Sequence, residues 1–304
     1  MQRRTPDLAD LRCPRCRDET NNHPVRWIEQ RHSDKDNVLE GTLACHGCGH
    51  RYEVFDGVAA LVKDGALDAV NADDPQQSTW LWADYAWELT PLPTGLNAEP
   101  PAVDLILPHL TPSHRVVDLG CGAGGSTLAM AAHAGYTLGI ELRRGRVEAA
   151  QHIRRTGKLT FDLTTVQGHS QPVDVSRPQA PELSSRYDLI VGDALDPPLP
   201  PGDWDAVVLG ALYDVVREPI TLLAQAAALL KPGGLLLCNS PYQFSSQADM
   251  RPADPATDLR LTLGSGELGC QFEPVDQAER LWVIRDNHYR FFCYRLDCVL
   301  ARKL

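Results

Sequence analysis

Long apolar runs are missing from this 304-residue sequence, and so is any excess of positive charge. No stretch approaches the roughly 18 uninterrupted apolar residues of a membrane span. The opening Met1-Gln2-Arg3-Arg4-Thr5-Pro6-Asp7 also lacks the apolar segment of a secretory signal. These absences predict no membrane partner and a cytoplasmic location. Lysine and arginine number 29 against 40 acidic residues, for a formal charge of −11. The deficit is spread along the chain, with 10 basic against 17 acidic residues up to position 100 and 19 against 23 beyond it. A nucleic-acid binder carries a basic excess, so nucleic acid is a disfavoured partner. What is present suits a globular protein: 43% hydrophobic residues, and length for one large domain plus a small one. Nine cysteines are an odd number, which in a cytosolic chain favours free thiols or metal ligands over disulfides. Nothing in these totals fixes the oligomeric state.

Four of the cysteines come as two knuckles, Cys13-Pro14-Arg15-Cys16 and Cys45-His46-Gly47-Cys48. A CxxC turn puts two sulfurs on one side of a metal and leaves backbone N–H groups free to stabilise thiolate charge. Two such turns predict a four-thiolate tetrahedral zinc site. Four thiolates fill the zinc, so the metal is expected to be structural. Between the knuckles, residues 25–29 and 38–43 read as short strands with the polar run 32–37 as their turn. The CPxC and CxxCG knuckles, together with the tail Tyr52-Glu53-Val54-Phe55-Asp56-Gly57-Val58-Ala59-Ala60-Leu61, resemble the small zinc-ribbon family that acts as a methyltransferase activator subunit. In that family the ribbon props up a catalytic partner, which the resemblance implies is fused here.

From about residue 101 strands alternate with helices, the pattern of a doubly wound parallel sheet. A buried strand, Arg115-Val116-Val117-Asp118-Leu119, runs into Gly120-Cys121-Gly122-Ala123-Gly124-Gly125 and then a helix of small residues. Glycines 120, 122 and 124 let backbone approach a ligand, and Asp118 can orient that loop or a ligand amino group. The next strand ends in Glu141, placed to accept hydrogen bonds from ribose hydroxyls. A third, Tyr187 to Ala194, carries Asp193 at its end, an acid suited to an adenine amino group. A fourth spans Asp205 to Gly210 and includes Leu209, and Leu230-Lys231-Pro232-Gly233-Gly234 precedes the fifth.

This ordered set resembles the class I S-adenosylmethionine-dependent methyltransferases over roughly residues 101–304. The resemblance implies an α/β, Rossmann-like, doubly wound, seven-stranded sheet, here with a small N-terminal β-rich zinc ribbon. It also implies S-adenosylmethionine held by Asp118, Gly120, Cys121, Gly122, Gly124, Glu141, Asp193, Ala194 and Leu209. Three segments are expected: a zinc ribbon over 1–65, a linker with an aromatic lid helix over 66–100, and the methyltransferase domain over 101–304.

The acceptor is read from what surrounds that core. Ala211-Leu212-Tyr213-Asp214 follows the fourth strand, Ser240-Pro241-Tyr242 the fifth, and Val283-Ile284-Arg285-Asp286 leads towards Phe291. An insertion from Thr156 onward reads as a β-hairpin over the site rim. Together these are similar to the methyltransferase domain of ovothiol biosynthesis, which methylates the imidazole of a thiolated histidine, although this chain carries Ala211 where that family has asparagine. The implied acceptor is a small molecule bearing nitrogen or sulfur. Tyr242, Tyr213, Asp214 and His288 are candidate bases by position. Trp82 and Tyr85, in the aromatic stretch Trp80 to Trp87, are candidates for the acceptor pocket or, equally, rings that pack the domain interface. The basic run Arg143, Arg144, Arg146, Arg154, Arg155 and Lys158 reads as a solvated helix face. Cys121, Cys238, Cys270, Cys293 and Cys298 read mostly as small buried hydrophobes. Two other classes stay open: an RNA or protein methyltransferase that grips substrate with the ribbon, and a non-catalytic cofactor-binding regulator.

Overall fold

The computed structural model describes residues 1–5, 10–16, 22–86, 103–166, 168–177 and 181–304. Trp87 and the rest of the joining segment to residue 102 lie outside them. Four strands open the chain: β1 (Val25–Asp34), β2 (Asn37–Cys45), β3 (Arg51–Phe55) and β4 (Val58–Leu61). The polar run expected as a turn is mostly strand, since β1 extends to Asp34 and pairs it with Asn37. Only Lys35 and Asp36 turn, with Lys35 at φ 52°, because a two-residue connection with positive φ matches the twist of the flanking strands.

Short helices α1 (Leu67–Asn71) and α2 (Gln77–Leu81) follow, and α2 runs directly into one π-helical turn, Trp82–Ala86. Then come β5 (Arg115–Leu119), α3 (Gly125–Ala131), β6 (Tyr136–Glu141), α4 (Arg144–Thr156), β7 (Lys158–Val166), β8 (His169–Ser176), α5 (Pro181–Ser184), β9 (Tyr187–Gly192), β10 (Trp204–Gly210), α6 (Pro219–Leu229), β11 (Leu230–Ser240), α7 (Pro255–Ser265), β12 (Phe272–Asn287) and β13 (Arg290–Lys303). Seven strands in the order β9-β6-β5-β10-β11-β13-β12 form the expected sheet. Its first five are parallel, and β13 runs antiparallel between β11 and β12. Buried on both faces, β5, β6 and β9 are almost continuously apolar, as parallel strands under two helical layers must be. The Lys231–Gly234 turn expected before the fifth strand falls inside β11, where it bulges the ladder between Leu230 and Leu235.

The four N-terminal strands continue this sheet. β4 pairs in parallel with β9, Ala60 opposite Val191 and Leu61 opposite Gly192, and the whole becomes eleven-stranded. One core runs from Leu11, Val25, Leu43 and Val54 of the N-terminal part into Leu138, Ile140 and Ile190. The basic run of α4 is not a solvated face. Arg146 pairs with Asp74, Arg155 with Asp56, and Arg154 is buried near Asp188 with Asn37 as a hydrogen-bond partner. These arginines tie α4 to the N-terminal part of the chain.

At the other sheet edge, β12 and β13 outrun their neighbours. Asp297 faces Ser240 at the carboxyl end of β11, so residues 280–296 project beyond the sheet, by roughly 25 Å at strand rise. This projection packs on the aromatic turn as a roof. Trp282 stacks on Trp80 with centroids 5.8 Å apart, and Phe291 meets Trp82 edge-on at 6.3 Å. The β7–β8 hairpin, found where expected, packs Leu159, Phe161 and Leu163 into the same cluster. The His288 amide donates to the Thr164 carbonyl at 2.9 Å, joining the two hairpins.

Candidate functional site

Strand order reverses between β5 and β10, and at such a switch point the loops leaving adjacent strands diverge to form a crevice. The glycine loop after β5 lies there. Gly120, Gly122 and Gly124 all have positive φ (72°, 59° and 91°), and a Cβ on Gly120 would sit 2.7 Å from the Leu212 side chain of the β10 loop. Two features therefore demand glycine at 120, conformation and close approach.

Carboxylates gather around this loop. Glu141, at the end of β6, accepts from the Gly122 amide at 3.2 Å and the Arg143 amide at 2.8 Å. Asp118 is buried under the loop and accepts from the Thr127 hydroxyl at 2.8 Å, so it orients the β5-to-α3 turn. Burial raises its carboxyl to about 7; the Thr127 bond opposes that rise and the charge of Glu141 adds to it. The third is Asp84, which the sequence reading missed. It sits on the π-helical turn and accepts from the Ala123 amide at 2.9 Å, with one oxygen where a Cβ on Gly125 would meet it at 2.8 Å. Burial brings it to about 7 as well, with Asp118 reinforcing the shift and the Ala123 amide opposing it. The signal available was a lone acid inside Trp80-Leu81-Trp82-Ala83-Asp84-Tyr85-Ala86, but its partner amide lies 39 residues away.

Trp82 and Tyr85 are both buried, and the Tyr85 hydroxyl donates to the Ala123 carbonyl. The aromatic turn thus lies directly on the glycine loop. Asp193 follows β9 and is used in part by the Leu195 amide at 2.9 Å; burial raises its carboxyl. Ala194 is half-buried against the core, while Leu209 and Cys121 have buried side chains.

The β10 and β11 loops are braced to each other. Asp214 is buried and accepts from the Ser240 hydroxyl and the Gln243 amide, both at 2.7 Å. Asn239 Oδ1 accepts from the Ala211 amide at 2.9 Å. Ala211 and Tyr242 hold φ of 49° and 56°, strain of the kind that surrounding structure must enforce. The Tyr242 hydroxyl donates to Asp297 at 2.7 Å, and Asp297 pairs with Arg260. Tyr213 is fully buried against Tyr242 and Phe244, and its hydroxyl has no partner among the described residues. Of the candidate bases, then, Asp214 and Tyr242 are engaged in bracing bonds. His288 is exposed on the roof, its Nδ1 3.0 Å from the Arg285 guanidinium. Among the remaining cysteines 121, 238 and 298 are buried as expected, whereas Cys293 is exposed on the projecting part of β13.

Cys13, Cys16, Cys45 and Cys48 are brought together, their Sγ atoms all within 4.8 Å of one another. The Gly47 and Cys48 amides donate to Cys45 Sγ at 3.3 and 3.4 Å, and the Tyr52 hydroxyl lies 3.0 Å from Cys13 Sγ. Such donors suit thiolates, so this cluster fits a tetrahedral soft metal.

With the geometry in place, comparison gives the class. Residues 117–238 match the family described as a methyltransferase domain. Similar proteins include a demethylmenaquinone methyltransferase of Symbiobacterium thermophilum, 29% identical over 135 residues (43% of either chain). A 23S rRNA (uracil(1939)-C(5))-methyltransferase of Vesicomyosocius okutanii is 35% identical over 103 residues, 31% of this chain and 24% of its own. A ubiquinone biosynthesis O-methyltransferase of Vibrio cholerae is 26% identical over 122 residues, 40% and 39% respectively. The chain spans less than half the length of these relatives. The stretch that matches a methyltransferase domain runs from β5 to β11 of the seven-stranded sheet. Among the described residues no helix is long and apolar enough to cross a membrane.

Proposed function

We propose that this protein transfers the methyl group of S-adenosylmethionine to a nitrogen or sulfur atom of a small molecule, a histidine-derived thiol or another heteroaromatic amine. The observation that carries the reading is the convergence of Asp84, Asp118 and Glu141 on one glycine loop at the switch point. Carboxylates gathered on one loop suit a cationic ligand, since an opposite charge beside them favours their ionised forms. S-adenosylmethionine bears a sulfonium and an ammonium, whereas the pyrophosphate of a dinucleotide would be repelled there.

In this reading Glu141 accepts from the ribose hydroxyls, Asp193 from the adenine amino group, and the backbone at Gly120, Gly122 and Gly124 lets the ligand close. Bound there, the cofactor supplies an electrophilic methyl group; the protein's task is to align the acceptor and exclude water. The projecting β12–β13 hairpin, the β7–β8 hairpin and the aromatic turn form a roof over this edge. It favours an acceptor of amino-acid size. The relatives named for quinone precursors act on small molecules, in keeping with it. Residues 1–65 are the ribbon, whose four cysteines hold a structural zinc, 66–100 the joining segment, and 101–304 the catalytic domain.

Incubation with methyl-labelled S-adenosylmethionine and cell extract, followed by size fractionation, tests the reading. Label is expected in the small-molecule fraction. Label confined to macromolecules would replace this reading with an RNA or protein methyltransferase. Cofactor binding with no transfer to either fraction would favour the non-catalytic regulator.

A further inference from the structure

Arg285 lies on β12 in the roof and is 7% exposed. A guanidinium so far removed from water is normally paired with a carboxylate, because the desolvation cost of an isolated charge is large. Arg285 has none among the described residues. Its Nε donates to the Asn287 carbonyl at 3.1 Å, and its Nη2 reaches the His288 carbonyl at 3.2 Å and the His288 ring at 3.0 Å. Nη1 takes part in none of these bonds. The neighbouring Asp286 is engaged elsewhere, accepting from Arg290 Nε at 2.6 Å.

The position links this charge to the site. Arg285 stacks over Phe291 at 5.5 Å, Phe291 meets Trp82 edge-on, and Trp82 belongs to the turn that carries Asp84 and Tyr85 on the glycine loop. One aromatic ring, Phe291, therefore separates the guanidinium from the turn that packs on the glycine loop. The indole N–H groups of Trp80 and Trp282, stacked in the same roof, are buried without a partner among the described residues. The roof thus holds two buried indole donors in want of acceptors beside a guanidinium that no carboxylate neutralises among the described residues.

We propose that Arg285 is a substrate-binding residue that receives a carboxylate of the methyl acceptor, so that the acceptor is an amino acid or a related carboxylic acid. This rests on the small-molecule methyltransferase reading above. An acceptor anchored by its carboxylate at Arg285 would extend its heteroatom beneath the aromatic turn towards the cofactor loop. The charge complement is consistent across the site: cationic cofactor against Asp84, Asp118 and Glu141, anionic acceptor end against Arg285.

The test uses the full chain with methyl-labelled S-adenosylmethionine and the small-molecule fraction of cell extract, comparing wild type with Arg285→Gln and Arg285→Lys. Labelled product from the wild type should carry a carboxyl group, read by mass spectrometry as the mass shift on chemical amidation. Arg285→Gln should label roughly ten- to hundredfold less at low acceptor concentration, with the deficit narrowing as extract is concentrated, and Arg285→Lys should recover part of it. Calorimetry should show unchanged affinity for S-adenosylmethionine in both variants, which also certifies their folding. A labelled product with no carboxylate, or an Arg285→Gln variant that binds cofactor and labels as wild type, overturns the proposal. If the wild type binds cofactor yet never labels the small-molecule fraction, the small-molecule reading fails and this inference with it.

Discussion

Glu141 ends a fully buried strand with its carboxylate already on the Gly122 amide. In the proposed site Glu141→Ala removes charge-assisted contacts to the ribose, on the order of 1.5–3 kcal/mol. We expect a roughly ten- to hundredfold loss of cofactor affinity by calorimetry; unchanged affinity would refute the assignment. Asp84 and Asp118 make a pH prediction. Their carboxyls sit at about 7, above the unfolded range near 4, so the folded state holds protons that the unfolded state has released. Stability of the cofactor-free protein should fall as pH rises from about 4 through 7, and be lowest above 7. Affinity for the cationic cofactor should move the other way, rising over the same upper range with release of protons, because it favours the ionised forms. Asp84→Asn should flatten both profiles, and a Tm that climbs steadily from pH 5 to 8 would contradict the account. Glu141 and Asp118 were legible because they stand at fixed offsets in a strand–glycine–helix pattern. Asp84 was not, since no local pattern marks a residue whose partner is an amide far along the chain.

Elements with a strong local period were legible: β5, β6, β9 and β10 as apolar runs, the β7–β8 hairpin, and the two cysteine knuckles. The roles of charged helix faces were not, because α4 reads as amphipathic whether its arginines meet water or, as found, Asp74, Asp56 and the buried Asp188. For the knuckles we expect one zinc per molecule, lost in Cys13→Ser or Cys48→Ser, with Tm lowered by on the order of 5 °C or more. Metal analysis of freshly purified protein decides this, and an absence of zinc would remove the assignment. For the β11 loop, Tyr242→Phe cuts the bond to Asp297 and frees a strained turn that the Asp214–Ser240 pair also braces. Turnover should fall while affinity for S-adenosylmethionine stays within about twofold, the pattern of lost acceptor alignment. Equal losses in both would place Tyr242 in the cofactor site instead.

Across the whole molecule, the four N-terminal strands and the seven-stranded sheet are one structure joined at β4 and β9. That junction was invisible in sequence, where each strand has its own apolar pattern and nothing specifies which edges meet. It places the four-cysteine cluster and the candidate adenine acid Asp193 at the same end of the sheet, with Lys63 paired to Asp196 across the seam at 2.7 Å. Chelation of zinc from the intact chain should therefore raise hydrogen exchange at Val191 and Gly192 before it reaches β10, and uniform protection would show the ribbon to be dispensable for that edge. The roof was likewise legible only in part, since its length follows from the register of β13 on β11. The central claim is that this fold presents an acid-lined glycine loop to a cationic cofactor. Titration calorimetry at pH 8 of the intact protein with S-adenosylmethionine, and separately with NAD, tests it most directly. One molecule of S-adenosylmethionine should bind per chain, weakened roughly ten- to hundredfold by Glu141→Ala, with no heat from NAD at the same concentration; NAD binding of equal strength, or no S-adenosylmethionine binding, would contradict it.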